Sequence, residues 1–283
     1  MIDEFDNRNP SEIITVKIYS EDDYFEDEYF SKISLGIKSV IGTRKTQQDT
    51  IFGQFNDTSG IAIVCDGMGG LQGGEKASET AVTMLAEDFF AEEEMEDVPA
   101  FFRKEAIKID EAVSRLCDEN GTLLEAGTTM VSVIIQEDKL FWLSIGDSKI
   151  YIIRDQEIIT VNRLHNYRMT MDQMMQQGTM SEEEYQKKEK HAEALISFLG
   201  MGNVSLMDIN PQGFELKDKD VILLSSDGLY RVLSDETIQG IVKKHMFNLQ
   251  DAADALTEET TRRAVKSQDN TSVVLVQYHE EAF

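Results

Sequence analysis

The chain has 283 residues, of which 41% are hydrophobic and 28% charged, a globular balance long enough for one large domain or two small ones. Its 53 acidic and 27 basic side chains leave a formal charge of −26, a field that repels phosphate polyanions and so excludes nucleic acid and anionic membranes as expected partners while attracting divalent cations. Cys65 and Cys117 are too few and too far apart for a disulfide framework or a thiolate zinc site. Both are expected as buried thiols in a reducing compartment.

The opening residues MIDEFDNRNP carry no basic region followed by an apolar stretch, and no run of about 18 apolar residues occurs anywhere, so a soluble cytoplasmic protein is expected. Residues 1–30 read as an acidic N-terminal arm, with the acidic and aromatic run from Glu21 to Phe30 and one extra strand over Ile13 to Tyr19. Residues 31–283 read as one domain, because there are three prolines, no Ser/Gly-rich linker and no repeat of fixed period.

Short β-branched or aromatic runs bounded by turn residues predict strands at Ile33 to Val40, Ile61 to Cys65, Met130 to Gln136, Leu140 to Ile145, Ile150 to Arg154, Val221 to Ser225 and Ser272 to Tyr278. Apolar spacings of three and four predict amphipathic helices through Ala77, Ala81, Leu85 and Phe89, and through Phe102, Ala106, Ile109, Val113 and Leu116. Ser234 reads as the cap of a helix carrying Ile238, Ile241 and Val242. Asn248 with Asp251 reads as a second cap, before Leu249, Ala253 and Leu256. Strand runs separated by helix pairs imply a layered α/β or α+β domain.

Three apolar strands end in Asp followed by a small residue: IAIVC-Asp66-Gly67, FWLSIG-Asp147-Ser148 and VILLSS-Asp227-Gly228. Asp269-Asn270 stands just before the last strand. Each pair alone reads as a turn, since Asp bonds its own backbone and Gly supplies positive φ. Four aspartates at strand ends that converge on one sheet edge would repel one another and need a cation to stay ionised. Carboxylate, carbonyl and water ligands suit Mg, Mn or Ca, whereas Zn would want His or Cys. His165, His191, His245 and His279 show no paired spacing and read as surface or packing residues. A dinuclear carboxylate site can activate water and clamp both ends of a phosphoryl displacement, which makes phosphate-ester hydrolysis the fitting chemistry. Arg44, five residues before Asp49, is the candidate bidentate phosphate partner, and an ordinary surface ion pair is its other reading.

Taken together these residues resemble the metal-dependent protein phosphatases of the 2C type. The likeness runs in order from about residue 33 to residue 278 through Gly42-x-Arg44-x-x-Gln47-Gln48-Asp49, Val64-Cys65-Asp66-Gly67-Met68-Gly69-Gly70 with Gly74-Glu75-Lys76-Ala77-Ser78, Gly127-Thr128-Thr129, Gly146-Asp147-Ser148-Lys149-x-Tyr151, Ser226-Asp227-Gly228-Leu229 and Asp269-Asn270-Thr271. The resemblance implies an α+β fold, a four-layer αββα sandwich of two antiparallel sheets flanked by helix pairs. It also implies hydrolysis of phosphoserine and phosphothreonine in proteins with two Mg or Mn ions and room for a third. By the same resemblance Asp66 bridges two metals, Gly67 gives a backbone carbonyl, Asp227 and Asp269 bind the second metal, Asp49 holds metal-bound water, Asp147 belongs to a third metal site, and Arg44 binds substrate phosphate. The implied partners are a phosphorylated protein and a cognate Ser/Thr kinase, with the chain itself a monomer.

The sequence also departs from the family pattern. Met68 stands where some members carry a histidine assigned as general acid, and the Asp-Gly-Met-Gly-Gly form resembles bacterial members. Gln47 replaces a common Asn, Lys149 a common Arg and Leu71 a common His, while Leu164-His165-Asn166 stands where Asp-His-Ser is usual. A flap is expected within residues 164 to 205. It holds Met169, Met171, Met174, Met175 and Met180, which suit core filling and docking equally, and Ser181 with Glu184 at capping-box spacing. The competing reading is a catalytically silent module of the same fold that binds a phosphoprotein. A Ca-binding loop of the DxDxDG kind is absent from the sequence.

Overall fold

A computed structural model describes residues 32–56, 59–69, 73–92, 95–263 and 267–280. The acidic arm, the strand expected over Ile13 to Tyr19, and Leu71 lie outside the described residues.

The elements run β1 (Ile33–Val40), β2 (Asp49–Phe55), β3 (Ser59–Gly69), α1 (Gly73–Ala91), α2 (Val98–Ser114), β4 (Ala126–Thr128), β5 (Met130–Gln136), β6 (Lys139–Ile145), β7 (Lys149–Arg154) and β8 (Glu157–Thr160). There follow α3 (Tyr167–Gln176), α4 (Glu182–Lys188), β9 (Asp208–Ile209), β10 (Phe214–Glu215), β11 (Val221–Ser225), α5 (Asp227–Tyr230), α6 (Asp235–Lys244), α7 (Leu249–Arg263) and β12 (Thr271–Tyr278). One sheet has the order β1-β12-β11-β7-β8 and the other β10-β6-β5-β3-β2, with β4 on β3 and β9 on β6. The strand pairings are antiparallel throughout.

Period-two alternation decides what each strand face covers. On β3, Ala62 and Val64 turn inward to meet Ile150, Ile152, Ile222, Leu224, Val274 and Val276 of the other sheet. Ile61, Ile63 and Cys65 of the same strand turn outward onto Ala77, Ala81 and Leu85 of α1 and Phe102, Ala106 and Ile109 of α2. Leu223, Val273 and Leu275 cover the far side, against Ile238 and Val242 of α6 and Ala253 and Leu256 of α7. Three apolar layers thus hold four layers of structure, the αββα sandwich.

The helix starts follow from their caps. Asp97 accepts from the Ala100 amide at 2.9 Å ahead of Pro99, Ser234 accepts from Thr237, and Asn248 accepts from the Gln250 amide at 3.0 Å. Ser181 and Glu184 form a capping box on α4. The edge strand β1 is covered: Gln250 of α7 accepts from the Ile37 amide at 3.1 Å and donates to the Ile37 carbonyl at 2.9 Å, as a neighbouring strand would.

Two expectations change. Cys117 is exposed, not buried, because it lies beyond the end of α2 in a turn-rich segment; Cys65 is buried as expected. β2 forms where no strand was expected. Its Gly53 and Gln54 weaken the pattern, and its conformation comes from full pairing with β3. In the flap, Met171 and Met180 are buried with Ala192, and Met174 and Met175 pack against them, so these side chains fill a small separate core.

Candidate active site

Asp49 opens β2 and Asp66 stands near the end of β3, directly opposite each other across the antiparallel ladder. The tail of β3 is held by the threonines of the Gly127-Thr128-Thr129 stretch. The Thr129 hydroxyl accepts from the Asp66 amide at 3.1 Å, the Thr129 amide donates to the Asp66 carbonyl at 2.9 Å, and the Thr128 hydroxyl donates to that carbonyl at 3.0 Å. Gly67 leaves no room for a side chain: a Cβ there would collide with the backbone carbonyls of Gly74 and Gln48.

The other sheet contributes Asp227, the first residue of α5, and Asp269, in the loop entering β12. Two polar residues tie this end of the sheets together. The Ser226 hydroxyl donates to Asp49 Oδ2 at 2.8 Å and accepts from the Ser272 amide at 3.0 Å. The Asn270 side chain accepts from the Gln48 amide at 2.8 Å and donates to the carbonyls of Ile41 and Thr46. Asp147 lies in the turn between β6 and β7, where the left-handed Gly146 (φ 100°) reverses the chain.

One cleft of about 370 Å³ gathers Asp66, Gly67, Asp147, Asp227 and Asp269 together with Arg44, Thr129, Glu193 and Arg231. Asp49 lies just beneath it, buried and bonded to Ser226. Burial pushes the Asp49 carboxyl up to about 6 against the hydrogen bonds of Ser272 and Ser226. Burial raises Asp66 too, and the neighbouring Asp49, Asp227, Asp147 and Asp269 raise it further. Burial takes Asp227 to about 7, with Arg231 pulling the other way. Carboxyls held this high are short of positive charge, and Asp49 Oδ1 and Asp227 Oδ1 are buried with no hydrogen-bond partner among the described residues. Hard oxygen donors of this kind fit Mg or Mn. Among the described residues, no three acidic, histidine or cysteine side chains are drawn into a ready-made cage. The arginines stand against the carboxylates instead, Arg44 at 2.5 Å from Asp269 and Arg231 at 2.9 Å from Asp227.

The structure therefore brings Asp49, Asp66, Gly67, Asp147, Asp227, Asp269 and Arg44 to one end of the sandwich. It adds two residues that sequence reading passed over. Arg231, one helical turn after Asp227, carried a readable signal in its i,i+4 spacing. Glu193 comes from the flap and had none. The flap is tied to the Asp147 turn and to β4: the His165 amide donates to the Gly146 carbonyl at 2.8 Å, the Gly146 amide donates to His165 Nδ1 at 3.3 Å, and Leu199 and Thr128 exchange backbone bonds. His165 is buried, and desolvation holds it neutral with its value near 4. It is a packing residue, as expected of it. No helix among the described residues is long and apolar enough to cross a membrane.

The family model described as protein phosphatase 2C matches residues 38–270. A serine/threonine phosphatase stp of Listeria welshimeri is 25% identical over 224 residues, covering 78% of this chain and 85% of that protein. The solved S. agalactiae serine/threonine phosphatase is 26% identical, with a TM-score of 0.72 over 88% of this chain and all of the other. At 23% identity, the catalytic domain of the serine threonine protein phosphatase PstP in complex with two manganese ions shares the fold with a TM-score of 0.71 over 88% of this chain and 99% of that one. The chain belongs to the protein phosphatase 2C family of serine/threonine phosphatases.

Proposed function

We propose that the chain, as a phosphatase domain over residues 31–283, hydrolyses phosphoserine and phosphothreonine in cytoplasmic proteins at a dinuclear Mg or Mn site. The observation that carries this reading is the meeting of Asp49 and Asp66 from one sheet with Asp227 and Asp269 from the other, beside Arg44, at one cleft. Asp66 would bridge two ions, Gly67 would add its carbonyl, and Asp227 and Asp269 would complete the second. When bound, such ions lower the pKa of water and neutralise charge on the phosphoryl group.

The protein's own groups do the rest. Asp49 orients the attacking water, its own carboxylate fixed by Ser226. Arg44 is exposed, and its guanidinium can exchange Asp269 for two phosphoryl oxygens. The water oxygen bonds to phosphorus as the ester oxygen leaves, and the products are a free side-chain hydroxyl and inorganic phosphate. With Met68 in place of an acid, the leaving oxygen takes its proton from water, either at the ions or from solvent. The substrate is a phosphoprotein made by a Ser/Thr kinase, and the enzyme acts as a monomer.

The test is hydrolysis of a phosphothreonine peptide and of p-nitrophenyl phosphate with Mn, with Mg and with EDTA, alongside Asp227→Ala. Turnover that needs metal and vanishes in the variant is expected. Metal binding without turnover would replace this reading with that of a silent phosphoprotein-binding module.

A further inference from the structure

The Asp147 side of the cleft already holds a cation. Arg231 Nη2 stands 2.9 Å from Asp227 Oδ2 and 3.5 Å from Asp147 Oδ2, so one guanidinium spans two carboxylates that come from different turns. The arginine is fixed by its backbone as well. It is the C-cap of α5, and its amide donates to the Asp227 carbonyl at 3.0 Å, which locks it into the same turn as its partner.

The surroundings complete the arrangement. The Tyr230 hydroxyl donates to the Asp147 carbonyl at 2.8 Å, and the Lys149 ammonium lies 4.2 Å from the centre of the Tyr230 ring. Asp147 thus has its carboxylate and its carbonyl both engaged, with a second positive charge one side chain away. A divalent ion entering between Asp147 and Asp227 would have to displace a delocalised cation that never loses its proton, and would meet its repulsion at contact distance.

We propose that Arg231 is the resident cation of the Asp147–Asp227 pair, held where the family resemblance implies a third metal ion, so that this chain takes up two ions and no third. The inference rests on the dinuclear reading above, and it makes Arg231 a positioning residue that fixes both aspartates without touching the phosphoryl group.

Ion counting tests it. The full chain is dialysed to equilibrium against Mn at rising concentration, and bound Mn per chain is measured for the wild type, R231A, R231Q, R231K and the double variant R231A/D147N. The Arg231 side chain is 47% exposed, so a neutral replacement leaves the core untouched. R231Q keeps most of the length and serves if R231A fails to fold. Two ions are expected in the wild type and in R231K, a third and weaker ion in the neutral variants, and a return to two in the double variant. A third ion in the wild type, or only two in the folded neutral variants, overturns the proposal, as does a wild type that binds fewer than two. Two ions in the wild type without phosphopeptide turnover would sink the catalytic reading and leave this inference standing.

Discussion

Asp49 and Asp66 face each other across the β2–β3 ladder, a cross-strand pair of like charge on one face of the sheet. Directly opposed residues carry their Cβ atoms about 5 Å apart, and like charges so placed destabilise a sheet. The pair is tolerable only when protonated or neutralised, and burial raises both carboxyls accordingly.

A pH dependence follows for protein stripped of metal with EDTA. The folded state binds protons more tightly than the unfolded chain, whose carboxyls titrate near 3.8. The contribution to stability is therefore full below that value and is lost as pH rises through about 6 for Asp49 and about 7 for Asp227. Thermal melts in EDTA should show Tm falling between about pH 4 and about pH 7, and Asp49→Asn should flatten that fall. A Tm that rises over the range would contradict the arrangement. With Mn present the slope should reverse, since ionised carboxylates bind the ion.

Arg44→Ala should raise KM for a phosphopeptide by about tenfold, the worth of one charge-assisted contact, and change kcat less. Steady-state kinetics at saturating Mn decide the matter. An unchanged KM removes Arg44 from the substrate site and leaves it as the partner of Asp269 alone.

The buried Asp110 of α2 accepts from the backbone amides of Gly200 at 2.7 Å, Gly202 at 3.1 Å and Val204 at 2.8 Å, and so pins the returning end of the flap. Asp110→Ala leaves three donors without a partner and should cost about 3 kcal/mol in urea unfolding. Amide exchange at those three residues should quicken before the rest of the chain. Unchanged protection there would mean that the anchor lies elsewhere.

Gln250→Ala should expose the β1 edge at Ile37 at a cost of about 1 kcal/mol. The clearer signal is association, because an uncovered edge pairs with other chains. Light scattering on concentrated protein should show larger species in the variant and none in the wild type.

Much of this molecule was legible in its sequence, for identifiable reasons. β3, β6 and β11 bury both faces and so read as continuous apolar runs, and the aspartates stand out because each interrupts such a run. β2 was not legible, since DTIFGQF gains its conformation from β3. The two- and three-residue strands β4, β9 and β10 are too short to carry a period. Asp49 was found through its motif alone. The spacing of Arg231 to Asp227 is legible, but its second partner is not, because Asp147 lies 84 positions away.

The two halves of the cleft belong to different sheets, and Ser226, Asn270 and the ions proposed for the site span the seam between them. Anything that slides one sheet over the other must pull these apart first. A bound ion pair would act as a rivet through the laminate, so that holding the layers in alignment and poising the reaction become one and the same task.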